Sequence, residues 1–448
     1  MMDTPICDFV RAYRDASPVR LHMPGHKGRG PLGAESLDIT EIRGADVLYD
    51  AGGIIRRSED NAAALFGAAR TLYSTEGSSL CIRAMLHLSL LEGKRRGRRP
   101  LILAGRNAHR AFVYAAGLLD AEIRWVFPET DRSLLSCPIT PDVLERAFDE
   151  MTDRPAAVYV TSPDYLGGML DIAGLSAVCR KHDTPLLVDN AHGAYLKFLE
   201  QDRHPIALGA DMCCDSAHKT LPVLTGGAYL HIAALAPALY ADQAESAMAL
   251  FASTSPSYLI LESLDQCNAV LAGGYREEMA RLCHRVDKMK HRLRENGYEL
   301  IGDEPAKITV AARRYGYTGD ALHALMRENG VECEFSDPDF LTMMLTPSLT
   351  EEEIGKAEKA LLSVSRRGAL PGTPPGMPAP LRAMSVLQAL FSPGREVSVE
   401  DAEGRILADA QAACPPCVPI LVCGERISRE AVACFRYYGI EKCRIVCE

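Results

Sequence analysis

No stretch of the 448-residue chain approaches the ~20 consecutive apolar residues that a membrane-spanning helix needs. The opening, MMDTPICDFVRAYRDASPVR, also lacks the unbroken apolar core of a secretion signal, so the expected location is the cytoplasm. Positive charge is in deficit: 49 Lys and Arg against 59 Asp and Glu leave a net charge of −10. Nucleic-acid backbones are bound through clustered basic side chains, so no nucleic-acid surface is expected and a small charged ligand is. An internal repeat is missing too. The fifteen cysteines, an odd number without a secretion signal, read as thiols of a reducing compartment, and no disulfide framework is expected. What the chain does have is core-forming material. Hydrophobic residues make up 47% and charged ones 24%, which excludes a disordered or collagen-like chain. At about 150 residues per domain, the length corresponds to roughly three domains or subdomains.

Between Leu101 and Ile232 short apolar runs recur: LILA (101–104), EIRWVF (122–127), AAVYVT (156–161), PLLVD (185–189) and GGAYLHI (226–232). Helical-length stretches such as CPITPDVLERAFDEM and GLSAVCRKHD separate several of them. Runs apolar on both faces and alternating with helices predict an α/β core around a mainly parallel sheet covered on both sides. In such sheets ligands gather where loops leave the carboxyl ends of strands. A long helix, YREEMARLCHRVDKMKHRLRENG, closes this region at Gly297. KITVAARR, GDALHALMRENG, VECEFSDPDFLTMML and SLTEEEIGKAEKALLSVSRR follow as a smaller α+β unit, with Ser348 and Glu351 spaced as a capping box. Residues 369–380 carry five prolines and two glycines, too broken for a helix or a central strand.

The segment ADMCCDSAHKTLPVLTGGAYLH (210–231) is the most informative. Lys219 follows a strand end, with Ser216, His218 and Thr220 around it, a setting that suits an imine to an aldehyde cofactor with Ser and His donating to a phosphate. A solvated surface lysine is the bland alternative. Thirty residues earlier, VDNAHGAYL ends a strand at Asp189, where a carboxylate can pair with a protonated pyridine nitrogen. A turn or helix-cap aspartate would look the same in isolation. Gly77, Ser78 and Ser79 open an apolar helical pattern, and backbone N–H groups at a helix start make a phosphate cradle or a plain N-cap. His109, after LILA, stands where an imidazole can lie over a cofactor ring, although a lone histidine is more often structural. Phosphate loop, ring, carboxylate and lysine in that chain order point together to pyridoxal 5′-phosphate.

The order and spacing resemble fold type I pyridoxal-phosphate enzymes. LHMPGHKGRG (21–30), DITEIRGADVL (38–48), FGAARTLYSTEGSS (66–79), RNAHR (106–110), TSPDYLGGMLDI (161–172), VDNAHGAY (188–195), SAHKTLPVLTGGAYLH (216–231) and AEGRI with PPCVPILVCGERI (402–427) are together similar to the Orn/Lys/Arg decarboxylase family. The match resembles the family's short form, without an additional receiver-like domain. The resemblance implies that Lys219 holds the cofactor, that Ser216, His218, Gly77, Ser78 and Ser79 contact its phosphate, that His109 stacks on the ring and that Asp189 holds the ring nitrogen. It implies catalysis by Lys219, Asp189 and His109, with no metal. It places His26 and Lys27 near the active site beside a neighbouring subunit, and implies a homodimer or larger even-numbered assembly. The expected organisation is an N-terminal arm (1–50), a cofactor-binding large domain (51–290), a small α+β domain (291–368), a Pro-rich linker (369–384) and a C-terminal decarboxylase-type subdomain (385–448).

The expected reaction is decarboxylation of arginine, lysine or ornithine to an amine and CO2, as in polyamine biosynthesis. An aminotransferase or other lyase on the same scaffold is the alternative, and a silent regulator keeping the fold is a third class that intact Lys219 and Asp189 argue against. The chain departs from the family at Glu76, where Asn is usual, at Asp164, where Thr is usual, at Gly226, where Gln is usual, and in its terminal CPPCVP. A carboxylate beside a phosphate is repulsive unless it turns away. Asp164, Glu76 and Glu425 are the candidate partners for the distal cation of a basic substrate. Finally, Cys414, Cys417, Cys423, Cys434, Cys443 and Cys447 crowd the last 35 residues, a spacing with some likeness to a zinc site but lacking a clean second C-x-x-C, so buried thiols are expected.

Overall fold

A computed structural model describes residues 2–129, 134–412 and 417–447. Seven short runs pair as one sheet: β1 Arg70–Ser74, β2 Leu101–Gly105, β3 Glu122–Val126, β4 Ala157–Thr161, β5 Leu186–Asp189, β6 Met212–Asp215 and β7 Ala228–Ile232, in the order β1-β7-β6-β5-β4-β2-β3. The inner strands β2, β5, β6 and β7 are buried at every residue, which is why their sequences are apolar on both faces, whereas β3 lies at an edge and is only half-buried. β7 runs antiparallel to both β1 and β6, and β5 pairs parallel with β6, so β1, β6 and β5 share one direction. The expected mainly parallel α/β sheet is therefore present, with β7 reversed.

Chain contacts divide the protein into two units. The first takes the chain up to Arg99, Arg154–Tyr159 and Ile172–Met279. Within it helix α1 (Pro5–Asp15) starts on a buried carboxylate: the N–H groups of Ile6 and Cys7 both donate to Asp265 Oδ2 at 3.0 Å. An acidic group there offsets the positive helix end. Helix α2 (Ile54–Phe66) buries Ser58 and Glu59, and Ser58 Oγ donates to Asp265 Oδ1. Helix α3 (Ser78–Arg95) places Leu80, Ile82, Met85, Leu86 and Leu88 in the core, and its last turn carries Lys94 and Arg95, as a helix C-terminus prefers.

The second unit takes Pro100–Asp153, Val160–Asp171 and the chain from Ala280 onward. Here α4 (Arg110–Leu118) follows β2, and β8 (Leu300–Ile301), β9 (Lys307–Ala311), β10 (Phe335–Ser336) and β11 (Phe340–Met344) form an antiparallel sheet of order β10-β11-β9-β8. The helix Glu351–Leu362 begins on a capping box made by Thr350 and Glu353, not by Ser348 and Glu351 as the sequence spacing led us to expect. SLTEEE contains the S/T-x-x-E pattern twice, and Ser348 is already inside a turn closed by Leu349 N donating to Thr346 O, so the second copy caps the helix. Arg106, only 1% exposed, donates to Pro419 O at 3.0 Å, Ile420 O at 3.1 Å and Glu425 Oε2 at 3.4 Å, with its guanidinium over the Trp125 ring. Leu166, Phe335, Val399, Ile420 and Phe435 belong to one apolar core in this unit. No helix among the described residues is long and apolar enough to cross a membrane.

Candidate active site

The pairing register brings three strand ends of the first unit into line. Ser74 pairs with Ala228, Tyr229 with Asp215, and Asp189 with Cys214, so the segments leaving β1, β5 and β6 emerge at one end of the sheet. Those segments hold Gly77–Ser79, Asp189–Gly193 and Ser216–Thr220.

Asp189 is the last residue of β5 and 2% exposed. Its Oδ2 accepts a hydrogen bond from Tyr159 Oη at 2.9 Å, and its Oδ1 accepts from Ala191 N at 3.2 Å and from the Cys214 thiol at 3.6 Å. Burial pushes both the Tyr159 phenol and the Cys214 thiol well above their usual values, so both stay protonated donors. The carboxylate is thus held in one orientation by three donors.

Beyond it the chain turns through Asn190 and Gly193. Asn190 Nδ2 donates to Asp215 Oδ1 at 2.6 Å, and Gly193 N donates to Asn190 O at 2.8 Å. A side chain at Gly193 would place its Cβ 2.0 Å from Asn190 Oδ1, so the turn admits only glycine and the direction of the preceding side chain is set. That side chain is His192, buried, and its Nε2 lies 3.0 Å from Lys219 Nζ. Sequence reasoning passed over His192; the available signal was its place three residues after Asp189 in VDNAHG.

Lys219 sits on the single helical turn Ala217–Thr220 that follows β6. In the same turn Ser216 Oγ is 3.4 Å from His218 Nδ1, which also donates to Gly227 O at 3.0 Å. Gly77 has φ +73° and occupies the N-cap of α3, where no side chain caps the helix and a Cβ would meet nothing within 4 Å. Its N–H donates to Gly226 O at 2.7 Å. Gly226 itself has φ +100°, and a Cβ there would come 2.9 Å from Thr75 O, which accounts for glycine at this departure from the family pattern. Glu76 turns to the backbone: its Oε1 accepts from Ser253 N at 2.7 Å.

The remaining residues singled out from sequence each have partners of their own. His109, in the second unit, N-caps α4 with Nδ1 accepting from Ala111 N at 3.1 Å. Asp164 is buried and closes its own loop, with Oδ1 accepting from Leu166 N and Gly168 N and Oδ2 from Ser136 Oγ. Glu425 accepts from Val422 N and Arg106. His26 Nε2 is 3.1 Å from Asp38 Oδ2, and Lys27 Nζ donates to His22 O. Cys414 falls outside the described residues, while Cys423, Cys434 and Cys443 are buried, with burial pushing their thiols up to about 12, about 12 and about 11. The one group of three metal-type side chains among the described residues is a buried one that the sequence did not announce: Asp215 Oδ2 lies 2.9 Å from His204 Nε2 and 3.3 Å from His231 Nε2. Burial alone would raise the Asp215 carboxyl, but the two imidazoles outweigh it and hold it well below the usual range.

A positive-φ glycine at an uncapped helix start with open space beside it, a fixed buried carboxylate and a lysine in a hydroxyl- and imidazole-bearing turn fit the phosphate, ring nitrogen and aldehyde of pyridoxal 5′-phosphate. The sequence profile described as the Orn/Lys/Arg decarboxylase major domain matches residues 4–352. An arginine decarboxylase of Bacillus subtilis is 27% identical over 96% of this chain and 92% of its own length. One from Halalkalibacterium halodurans is 29% identical over 97% and 93%. The crystal structure of a Francisella novicida lysine decarboxylase superposes with a TM-score of 0.80 at 15% identity, covering 99% of this chain and 81% of that one, a likeness of fold. With the motifs, the sheet and the profile in agreement, the chain belongs to the Orn/Lys/Arg decarboxylase family, pyridoxal-phosphate-dependent amino-acid decarboxylases built on the fold type I scaffold.

Proposed function

We propose that the protein removes the α-carboxyl group of a basic amino acid, arginine, lysine or ornithine, as CO2 and releases the corresponding amine. The observation that carries this reading is the profile match, which spans Lys219, Asp189 and the loop at Gly77 alike. Arginine is the first choice among the three, because two relatives aligned over more than nine-tenths of both chains are named arginine decarboxylase.

Lys219 would carry the cofactor through Nζ. The N–H groups opening α3 at Gly77, Ser78 and Ser79, with Ser216 and His218, would take its phosphate, and His109 would stack on the ring. Asp189 would keep a proton on the ring nitrogen. Donors from Tyr159 and Ala191 support that task by fixing the direction of the carboxylate. When bound, the cofactor supplies a cationic sink for the electron pair that CO2 leaves behind. The protein selects the bond to be broken by holding it in line with that sink, and Lys219 Nζ would hold the proton that Cα receives at the end. The assembly we propose is a cytoplasmic homodimer or larger even-numbered homo-oligomer, which light scattering of the purified protein checks.

Each of the three amino acids should be incubated with the holoenzyme, and CO2 and amine measured. Agmatine or a diamine with CO2 from at least one is the expected result. A keto acid without CO2 from all three would overturn it in favour of an aminotransferase. Borohydride reduction and digestion should place a pyridoxyl label on the peptide containing Lys219, and a label on another lysine would remove Lys219 from the site.

A further inference from the structure

A lysine that bonds reversibly to an aldehyde must pass between ammonium and neutral amine, and a half-buried ammonium gives up its proton fastest to a group already in contact with it. A fixed neighbour able to take the proton and return it serves that passage. His192 Nε2 stands 3.0 Å from Lys219 Nζ, and the imidazole is 6% exposed. Its position is not adjustable. The turn bearing it is pinned on one side by Asp189, on the other by the Asn190 to Asp215 hydrogen bond, and closes at Gly193, where no Cβ fits. Chemistry favours imidazole over a carboxylate here: a carboxylate would lock the lysine as an ion pair, whereas imidazole exchanges its proton near neutral pH.

We propose that His192 is the proton partner of Lys219. In the forward transfer an Nζ–H bond of the Lys219 ammonium breaks, its electron pair stays on nitrogen, and the proton moves to Nε2 of neutral His192. When the lysine is later released as an amine, the imidazolium returns that proton along the same contact, so nothing else is consumed. This inference rests on the reading of Lys219 as the cofactor-bearing lysine, and it adds a residue that the motif spacing did not reveal.

The test follows incorporation of pyridoxal 5′-phosphate into cofactor-free protein by its visible absorbance, in the native chain, in His192→Ala and in His192→Gln, which keeps a polar contact but does not titrate. Both variants should incorporate cofactor about a hundredfold more slowly at neutral pH, the scale of a lost acid–base group. Added free imidazole should restore the rate of His192→Ala, which has room for it, and leave His192→Gln slow. Should His192→Ala fail to fold, the His192→Gln rate alone decides. Native rates in the variants, or a slow His192→Ala rate untouched by imidazole, would overturn the proposal. A borohydride label on a lysine other than Lys219 would instead overturn the underlying reading, so the two failures are told apart.

Discussion

Tyr159 and Asp189 meet in a corner closed to solvent, the phenol donating to carboxylate Oδ2 at 2.9 Å from the neighbouring part of the same unit. Removing one partner of such a pair leaves the other buried without its hydrogen bond, at a cost of about 1–3 kcal/mol. Tyr159→Phe should therefore lower unfolding stability by that amount in urea titration. A midpoint unchanged from the native protein would show that the bond contributes nothing.

Asp189→Asn asks about charge in place of support. The amide retains shape and can still accept from Ala191 N, so the fold and part of the cofactor affinity should survive. Turnover should drop by about two or more orders of magnitude if, as proposed, this carboxylate keeps the ring nitrogen protonated. Near-normal CO2 release by the variant would refute the role given to this carboxylate.

Glu59 predicts a pH dependence with a definite sign. Burial pushes its carboxyl up to about 8, and its Oε1 accepts from Tyr73 N at 2.9 Å. A folded value above the unfolded 4.5 means stability that is fully present below 4.5 and lost as pH rises toward 8. Glutamine imitates the neutral acid at every pH. The melting temperature of Glu59→Gln should accordingly gain on the native protein from about pH 5 to about pH 9. A constant difference across that range would contradict the assignment.

Gly226→Ala tests the contact between the Gly77 and Gly226 loops of the first unit, the first of which is proposed to take the cofactor phosphate. With φ at +100° and Thr75 O only 2.9 Å from the new Cβ, the substitution should cost about 1–3 kcal/mol and displace the Gly77 loop that hydrogen-bonds to it. Dialysis should strip cofactor from the variant faster than from the native enzyme. Equal retention would mean that the loop tolerates the shift.

β2, β3, β4, β5 and β7 were legible from sequence as short runs bounded by polar turns, whereas β1 at Arg70–Ser74, with a charged first residue, was not among them, and the pairing of Asp189 with Cys214 is known only from the sheet. The helix cap at Thr350 was misplaced by two residues because SLTEEE satisfies the same pattern twice and only the preceding turn distinguishes them. His192 was missed since a histidine in a turn carries no periodicity; its meaning arises from Lys219, 27 positions away, arriving at 3.0 Å. Glu76, Asp164 and Glu425 looked alike as acidic candidates for the distal cation of a basic substrate. The structure separates them: Ser253 for Glu76 and Arg106 for Glu425 come from segments far away in the chain, whereas Asp164 is held by Leu166 and Gly168 of its own loop.

Arg106 makes the C-terminal stretch an internal fitting of the second unit. Its guanidinium is satisfied by the carbonyls of Pro419 and Ile420 and by Glu425, all on the far side of the exposed proline-rich segment. Light trypsin treatment at Arg366, Arg367 or Arg382 should thus nick the chain and leave both fragments travelling together through gel filtration. Stopping the chain before Val386 would take the acceptors from Arg106 and lay bare the apolar core that Val399, Ile420 and Phe435 share with Leu166 and Phe335, and a protein so shortened should come out of cells as aggregate.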